Sequence, residues 1–294
     1  MKRNNLVIFG LLLVSLVGCE MSCVDDECFD TDVSTIRGMS TLPLGYYDFG
    51  NTAEKDYVPN RVLVKKFQLD QTEVTLGDYN KCIASGKCSK PVSAYDEAGC
   101  IYGAGDPRHP VNCVTPVQAF EYCAFVGKRL PTEIEWEYAA KGIVYSEYPW
   151  GNKFDGQSAC YNNDKTCMVG THVETLLGMP YQEAKKNWPN VGPLLDLAGN
   201  VAEIVDSEYK PSGYKTNTAC TGVCALRGGS WLSKVKSELS TTYRDKIGVV
   251  EHSPAVGFRC AHEQYPELRI MTTKDDIITI WGIFREINWI ETDA

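Results

Sequence analysis

HPVNCVTPVQAFEYCAFVGKRLPTEIEWEYAAKG, residues 109–142, holds two helices whose starts and stops are both written in the sequence. Thr115 precedes Pro116 and is answered by Gln118, so a hydroxyl caps the first turn, a proline sits where no N–H is needed, and the Gln side chain returns to the cap. Thr132 and Glu135 repeat the device, with Trp136, Ala139 and Ala140 as an apolar face. Gly127 and Gly142 are the stops. Upstream, TEVTLGDYNKCIASGKC (72–88) predicts a third helix capped by Thr75, with Asp78 in its first turn, Leu76, Tyr79 and Ile83 on one face, and Gly86 as the stop. RVLVKKFQLD (61–70) has the β-branched content and partial alternation of a strand. From Tyr148 to His262 short apolar runs alternate with Gly, Asn, Asp and Pro, a composition held by cross-links, bound ions and buried aromatics more than by long regular elements.

The N-terminus sets the compartment. Lys2 and Arg3 precede an apolar run from Leu6 to Val17 that ends in Gly18-Cys19, too short for a spanning helix of about 20 residues. LVGC (16–19) resembles the lipobox at which a bacterial signal peptide is cut and the new N-terminal Cys19 acylated. Residues 1–18 are then a lipoprotein signal peptide, and 19–41, polar and acidic without periodicity, a tether. Glu20 rather than Asp after the cysteine points to the outer membrane of a Gram-negative envelope. Loss of Lys2 and Arg3 leaves 27 basic against 38 acidic residues, a balance that offers no surface for nucleic acid. Beyond Cys19 there remain 12 cysteines, the even number a disulfide framework needs. Several lie close together: Cys23 and Cys28, Cys82 and Cys88, Cys160 and Cys167, Cys220 and Cys224. Spacing alone does not fix their connectivity. No CxxC occurs, and His109, His172, His252 and His262 lack ligand spacing.

In chain order FQLDQTEVTLGDY, the 109–142 stretch, YPWGN, DLAGNVAEI, LRGGSW and GFRCA resemble the formylglycine-generating enzyme (sulfatase-modifying factor) family over residues 42–262, leaving 263–294 as a C-terminal extension. The resemblance implies an α+β fold of low regular content, related to C-type lectin domains. It also implies a disulfide between Cys123 and Cys260. The family's enzyme oxidises a cysteine in an unfolded sulfatase segment to formylglycine, using O2 and a copper ion on two thiolates. Those soft ligands suit Cu(I), and the matching positions here are Ser233 and Glu238. No cysteine lies between Gly229 and Gly257, so no shift of register restores the pair. Copper chemistry is therefore not expected, and the three-His iron motif of a related branch is missing from the sequence as well.

DLAGNVAE places Asp196, Gly199, Val201 and Glu203 at the spacing with which the family holds calcium through two side-chain and two main-chain oxygens. A second family calcium loop falls near Asn162, Asn163 and Asp164, in disturbed spacing, and Ala202 and Ile204 stand where the family carries Trp. Arg129, Glu133, Glu135 and Glu137 read as structural charge pairs, and Trp136, Trp150 and Trp231 as core. Two functions follow from the whole. One is a non-catalytic, lipid-anchored envelope module that binds a protein, peptide or glycan on a lectin-like scaffold. The other is an oxidase acting on an exported protein with non-standard ligands. The apolar run IITIWGIF in the extension is left open between an added strand or helix, a partner-binding segment and an insertion of no function.

Overall fold

Thr75, Thr115 and Thr132 each adopt extended backbone and accept a hydrogen bond from the N–H three residues on, so each begins a helix: α1 (Leu76–Ala84), α2 (Pro116–Phe125) and α3 (Glu133–Lys141). Both reciprocal Gln118 and Glu135 contacts are made. Gly142 ends α3 with φ 61°, and a Cβ there would collide with the Leu177 carbonyl, so this stop also lets a neighbouring loop pack against the helix end. A fourth, single-turn helix is α4 (Tyr181–Ala184).

The computed structural model describes residues 22–24, 27–29, 38–50, 60–91, 98–101, 105–189, 191–210, 218–263, 271–272 and 278–279. The signal peptide and Cys19 lie outside them. Two compact units divide the chain, Met1–Arg37 and Gly38–Ala294. In the first, β1 (Ser22–Val24) and β2 (Glu27–Phe29) form an antiparallel pair. The second begins slightly ahead of the expected Leu42: β3 (Met39–Leu42) is followed by β4 (Gly45–Phe49), β5 (Asn60–Val64) and β6 (Phe67–Asp70). After the three long helices come β7 (Thr175–Leu176), β8 (Met179–Pro180), β9 (Ala202–Glu208), β10 (Val223–Arg227), β11 (Arg244–Gly248), β12 (Val256–Gly257) and β13 (Ala261–Glu263). In the C-terminal extension β14 (Met271–Thr272) pairs with β15 (Ile278–Thr279).

RVLVKKFQLD is two strands, not one. Among the described residues β5 pairs only with β4, whereas β6 lies between β3 and β13 in a separate sheet, and the exposed Lys65-Lys66 step divides them. The site depends on the four-stranded sheet ordered β11-β10-β9-β12, in which β12 runs parallel to β9 and the other pairs are antiparallel. Alternation along its strands splits the core. Ala202, Ile204, Cys224, Leu226, Ile247 and Val256 join α1 and α2 on one face. Val205 and Ala225 join α3 and strands β3 to β6 on the other.

Disulfides join Cys82 to Cys88, Cys100 to Cys113, Cys123 to Cys260, Cys160 to Cys167 and Cys220 to Cys224. The 100–113 bond had no counterpart among the close pairs visible in the sequence. Trp136 and Trp231 are buried; Trp150 is only partly so, stacked on Tyr148 at 5.4 Å.

Candidate functional site

The Gly228-Gly229 step after β10 has φ of 90° and 68°, and a Cβ on Gly229 would strike the carbonyl of Glu238. This close approach folds the Ser230–Ser233 loop against a short 3-10 turn, Lys236–Leu239, and so brings Ser233 and Glu238 into the lining of one cleft of about 460 Å³. The volume is in the usual range for ligand sites. Ser233 Oγ accepts from Ser230 N at 3.0 Å, and Glu238 Oε2 accepts from Lys234 N at 3.2 Å. Both side chains help to shape the loop; a hydroxyl and a carboxylate are hard donors where Cu(I) needs thiolates. The loop is propped from outside by Asn162 N and Asn163 N, which donate to the Ser233 and Trp231 carbonyls at 2.9 Å each. Asn162 Oδ1 also receives Lys234 Nζ, and the Cys160–Cys167 disulfide closes this segment, so these asparagines serve the cleft wall.

Behind the cleft, on the opposite face of the sheet, lies a buried charge network. Arg227 donates to Glu133, Glu137 and the Thr241 carbonyl, and its guanidinium carbon lies 5.3 Å from the Trp136 ring centroid. Arg244 holds the other side of Glu133, and Lys141 reaches Glu137. Arg129 grips Glu135 through two bonds of 2.7 and 2.6 Å. The acidic run 133–137 is thus an anchoring device, with each carboxylate tied to a cation.

The 196–203 loop forms a second cluster. Asp196 and Asn200 have φ of 55° and 56°, a conformation that their short polar side chains tolerate. Asp196 accepts from Gly170 N through Oδ2 and faces His172 Nδ1 at 3.1 Å. Glu203 is gripped on both oxygens by Arg259 at 2.8 Å and also accepts from Trp136 Nε1 at 2.8 Å. Glu73, not singled out in the sequence, is buried among them, and neither of its carboxylate oxygens has a hydrogen-bond partner among the described residues. Burial first, then the charge of Asp196, pushes Glu73 well above the ordinary carboxylate range; burial raises Glu203 as well, against the pull of Arg259.

Three buried carboxylates therefore face one guanidinium, a surplus of negative charge that fits a divalent cation. The oxygens of Glu203 are already held by protein donors. Among the described residues no group of three or more His, Cys, Asp or Glu is arranged to hold a metal, so an ion here would also draw on main-chain oxygens. Glu73 and Arg259 did leave a trace in the sequence: each is the one charged residue of its short segment, TEVT and GFRC.

Comparison with known proteins adds the lineage. The model of the sulfatase-modifying factor enzyme 1-like domain matches residues 25–264. The inactive C-alpha-formylglycine-generating enzyme 2 of Mus musculus is 34% identical over 157 residues, covering 52% of this chain and 48% of its own. The formylglycine-generating enzyme of Streptomyces coelicolor is 32% identical over 177 residues, 54% of each chain. This chain thus spans about half the length of those relatives. Among solved structures, PvdO from Pseudomonas aeruginosa superposes with a TM-score of 0.60 at 21% identity, over 77% of this chain and 94% of that one. Treponema denticola variable protein 1 gives 0.60 at 19%, over 83% and 98%. The fold is the α+β, lectin-like one that the landmarks implied.

Proposed function

Because the chain belongs to the sulfatase-modifying factor enzyme 1-like family, we propose that it keeps the family's cleft as a binding site and has given up the oxidation. One observation carries this reading. Ser233 and Glu238, the residues that the resemblance matches to the copper thiolates, both line an intact cleft while bonded to its own backbone. A relative described as inactive is consistent with it. The module is held in the cell envelope by a lipid on Cys19, where it binds a protein or peptide; the mass of the mature N-terminus checks the anchor.

Incubated with a sulfatase-type cysteine peptide, oxygen and copper, the protein is expected to form no formylglycine and to consume no oxygen beyond the blank. Hydrazide-reactive aldehyde that disappears in Ser233→Ala or Glu238→Gln would instead establish an oxidase with non-standard ligands.

The proposal extends to calcium at the loop of Asp196, Gly199, Val201 and Glu203, supported by the surplus charge around Glu73 and its two oxygens without a donor. A cation and a proton on Glu73 are alternative ways to neutralise that surplus. Glu73 is raised in the fold, so without calcium its contribution is present below its ordinary value of 4.5 and is lost as pH rises through the raised one. Chelation should therefore lower Tm, and by more at pH about 8 than at about 5. A melting curve that ignores chelator at both values would leave the proton as the sole occupant.

A further inference from the structure

The β4–β5 ribbon turns one face to the core and the other to solvent. Tyr47, Phe49 and Val64 point inward and are buried with Tyr138 of α3; the Tyr47 and Tyr138 rings lie 5.3 Å apart. Tyr47 Oη donates to the Ile134 carbonyl at 2.8 Å, and Lys141 Nζ donates to the Asp48 and Gly50 carbonyls. A Cβ on Gly45 would strike the Tyr138 phenol. The ribbon is therefore seated firmly on α3, and what its outer face presents is fixed.

That outer face is apolar and cationic. Tyr46 and Leu63 are cross-strand partners, 56% and 47% exposed, and Leu44, just ahead of β4, is 60% exposed. Asp48 and Arg61 form the next outward pair, and Tyr145 Oη donates to Asp48 Oδ2 at 3.2 Å, so exposed Ile143, Val144 and Tyr145 continue the surface. Arg61, Lys65 and Lys66 are exposed, and the Arg61 guanidinium carbon lies 5.9 Å from the Tyr46 ring centroid. Asp48, half-buried and bonded to Tyr145, is the one acid among the described residues of the two strands. Cations thus gather on one apolar face of a chain whose formal net charge is -9.

Tyrosine rings at headgroup level with cations on the phosphates are what a bilayer interface selects. On the reading that a lipid on Cys19 holds the module in the envelope, an anionic surface is already within the tether's reach. The acidic remainder of the chain is repelled by that surface, which turns this face toward it. We propose that the outer face of the β4–β5 ribbon rests on the anionic phospholipid surface beside the anchor, with Leu44, Tyr46 and Leu63 at headgroup level and Arg61, Lys65 and Lys66 on the phosphates. A cation near an anionic leaflet gains roughly fivefold in affinity, which is small beside acyl chains, so the contact orients the domain and leaves the holding to the lipid.

The test uses residues 19–294 with Cys19→Ser, which keep the whole Gly38–Ala294 unit and carry no lipid, in flotation with vesicles. Binding to phosphatidylethanolamine and phosphatidylglycerol in equal parts should be about tenfold or more tighter than to phosphatidylcholine, and should weaken with salt. K65Q/K66Q should remove most of that difference, and Y46S/L63S should weaken binding to both vesicles by about tenfold, with Tm unchanged in each. V250S, which removes an exposed apolar side chain beyond β11, should change nothing. Phosphatidylglycerol binding that survives both double variants, or no vesicle binding by the parent, would overturn the inference. Equal binding to the two kinds of vesicle would overturn the anionic assignment. A dimer in sedimentation that Y46S/L63S dissociates would give the face to a second copy and overturn the membrane contact. The anchor is judged separately by the mass of the mature N-terminus, since no vesicle measurement uses the lipid.

Discussion

Arg259→Met should destabilise the domain by about 3–5 kcal/mol at neutral pH, the usual result of removing one partner from a buried ion pair. Arg259 is fully buried and makes five hydrogen bonds: two to Glu203, one to each of the Asp70 and Gln71 carbonyls, and one to the Leu195 carbonyl. It therefore joins the end of β6, the 196–203 loop and the segment entering β13. Met fills similar volume but removes the guanidinium that Glu203, Asp196 and Glu73 share. Glu203 and Glu73 already have raised folded-state values, so removing the guanidinium raises them further. Such groups contribute stability below the ordinary 4.5 and lose it as pH rises, so the deficit of Arg259→Met should grow with pH. Urea unfolding in chelator at pH about 5 and about 8 measures it. Arg259→Lys, which keeps the charge and loses the planar fork, should fall between Met and the parent. A deficit under about 1 kcal/mol at both pH values would mean that the cluster relaxes or admits water and is not the buried hub its bonds describe.

How far the sequence disclosed this arrangement depends on how local each signal is. Thr115 with Gln118, and Thr132 with Glu135, are separated by one helical turn, so their partnership is visible in the letters and is found in the fold. The reading of Glu133, Glu135 and Glu137 as structural also matches the contacts, although only the Arg129–Glu135 pair lies close enough in sequence to name both partners. RVLVKKFQLD misled because alternation reports burial on each side of the Lys65-Lys66 step and says nothing about which sheet receives each half. Trp150 was assigned to the core on residue type alone, yet its indole N–H bonds the Lys153 carbonyl at the surface. The cleft was foreseeable only as a position. Ser233 and Glu238 follow from the GGSW landmark, whereas Asp245, Glu251 and Val256 reach the same cleft through strand order, which no spacing encodes.

Replacing Cys123 and Cys260 together by Ala should remove about 5 kcal/mol, the chain-entropy value for so long a loop, against about 2 kcal/mol for the Cys220–Cys224 pair. The contrast rests on loop length, since the first bond spans 137 residues and the second 4. The long bond ties α2 to the residue after Arg259, beside the Tyr79, Tyr122 and Phe258 rings whose centroids lie 5.6 to 6.4 Å apart. It therefore keeps the helix layer in register with the segment that delivers Arg259. Both cysteines are fully buried, so Ala is the better probe; Ser would add an unbonded hydroxyl and confuse two effects. Whole-domain stabilities run about 5–15 kcal/mol, so the loss should appear as a large fall in Tm and easier unfolding in urea. A double Ala variant within about 1 kcal/mol of the parent would show that aromatic packing holds α2 to this segment without the bond. If instead the two pairs cost the same, loop length does not govern these cross-links, and native-state contacts around the sulfurs must account for what they contribute.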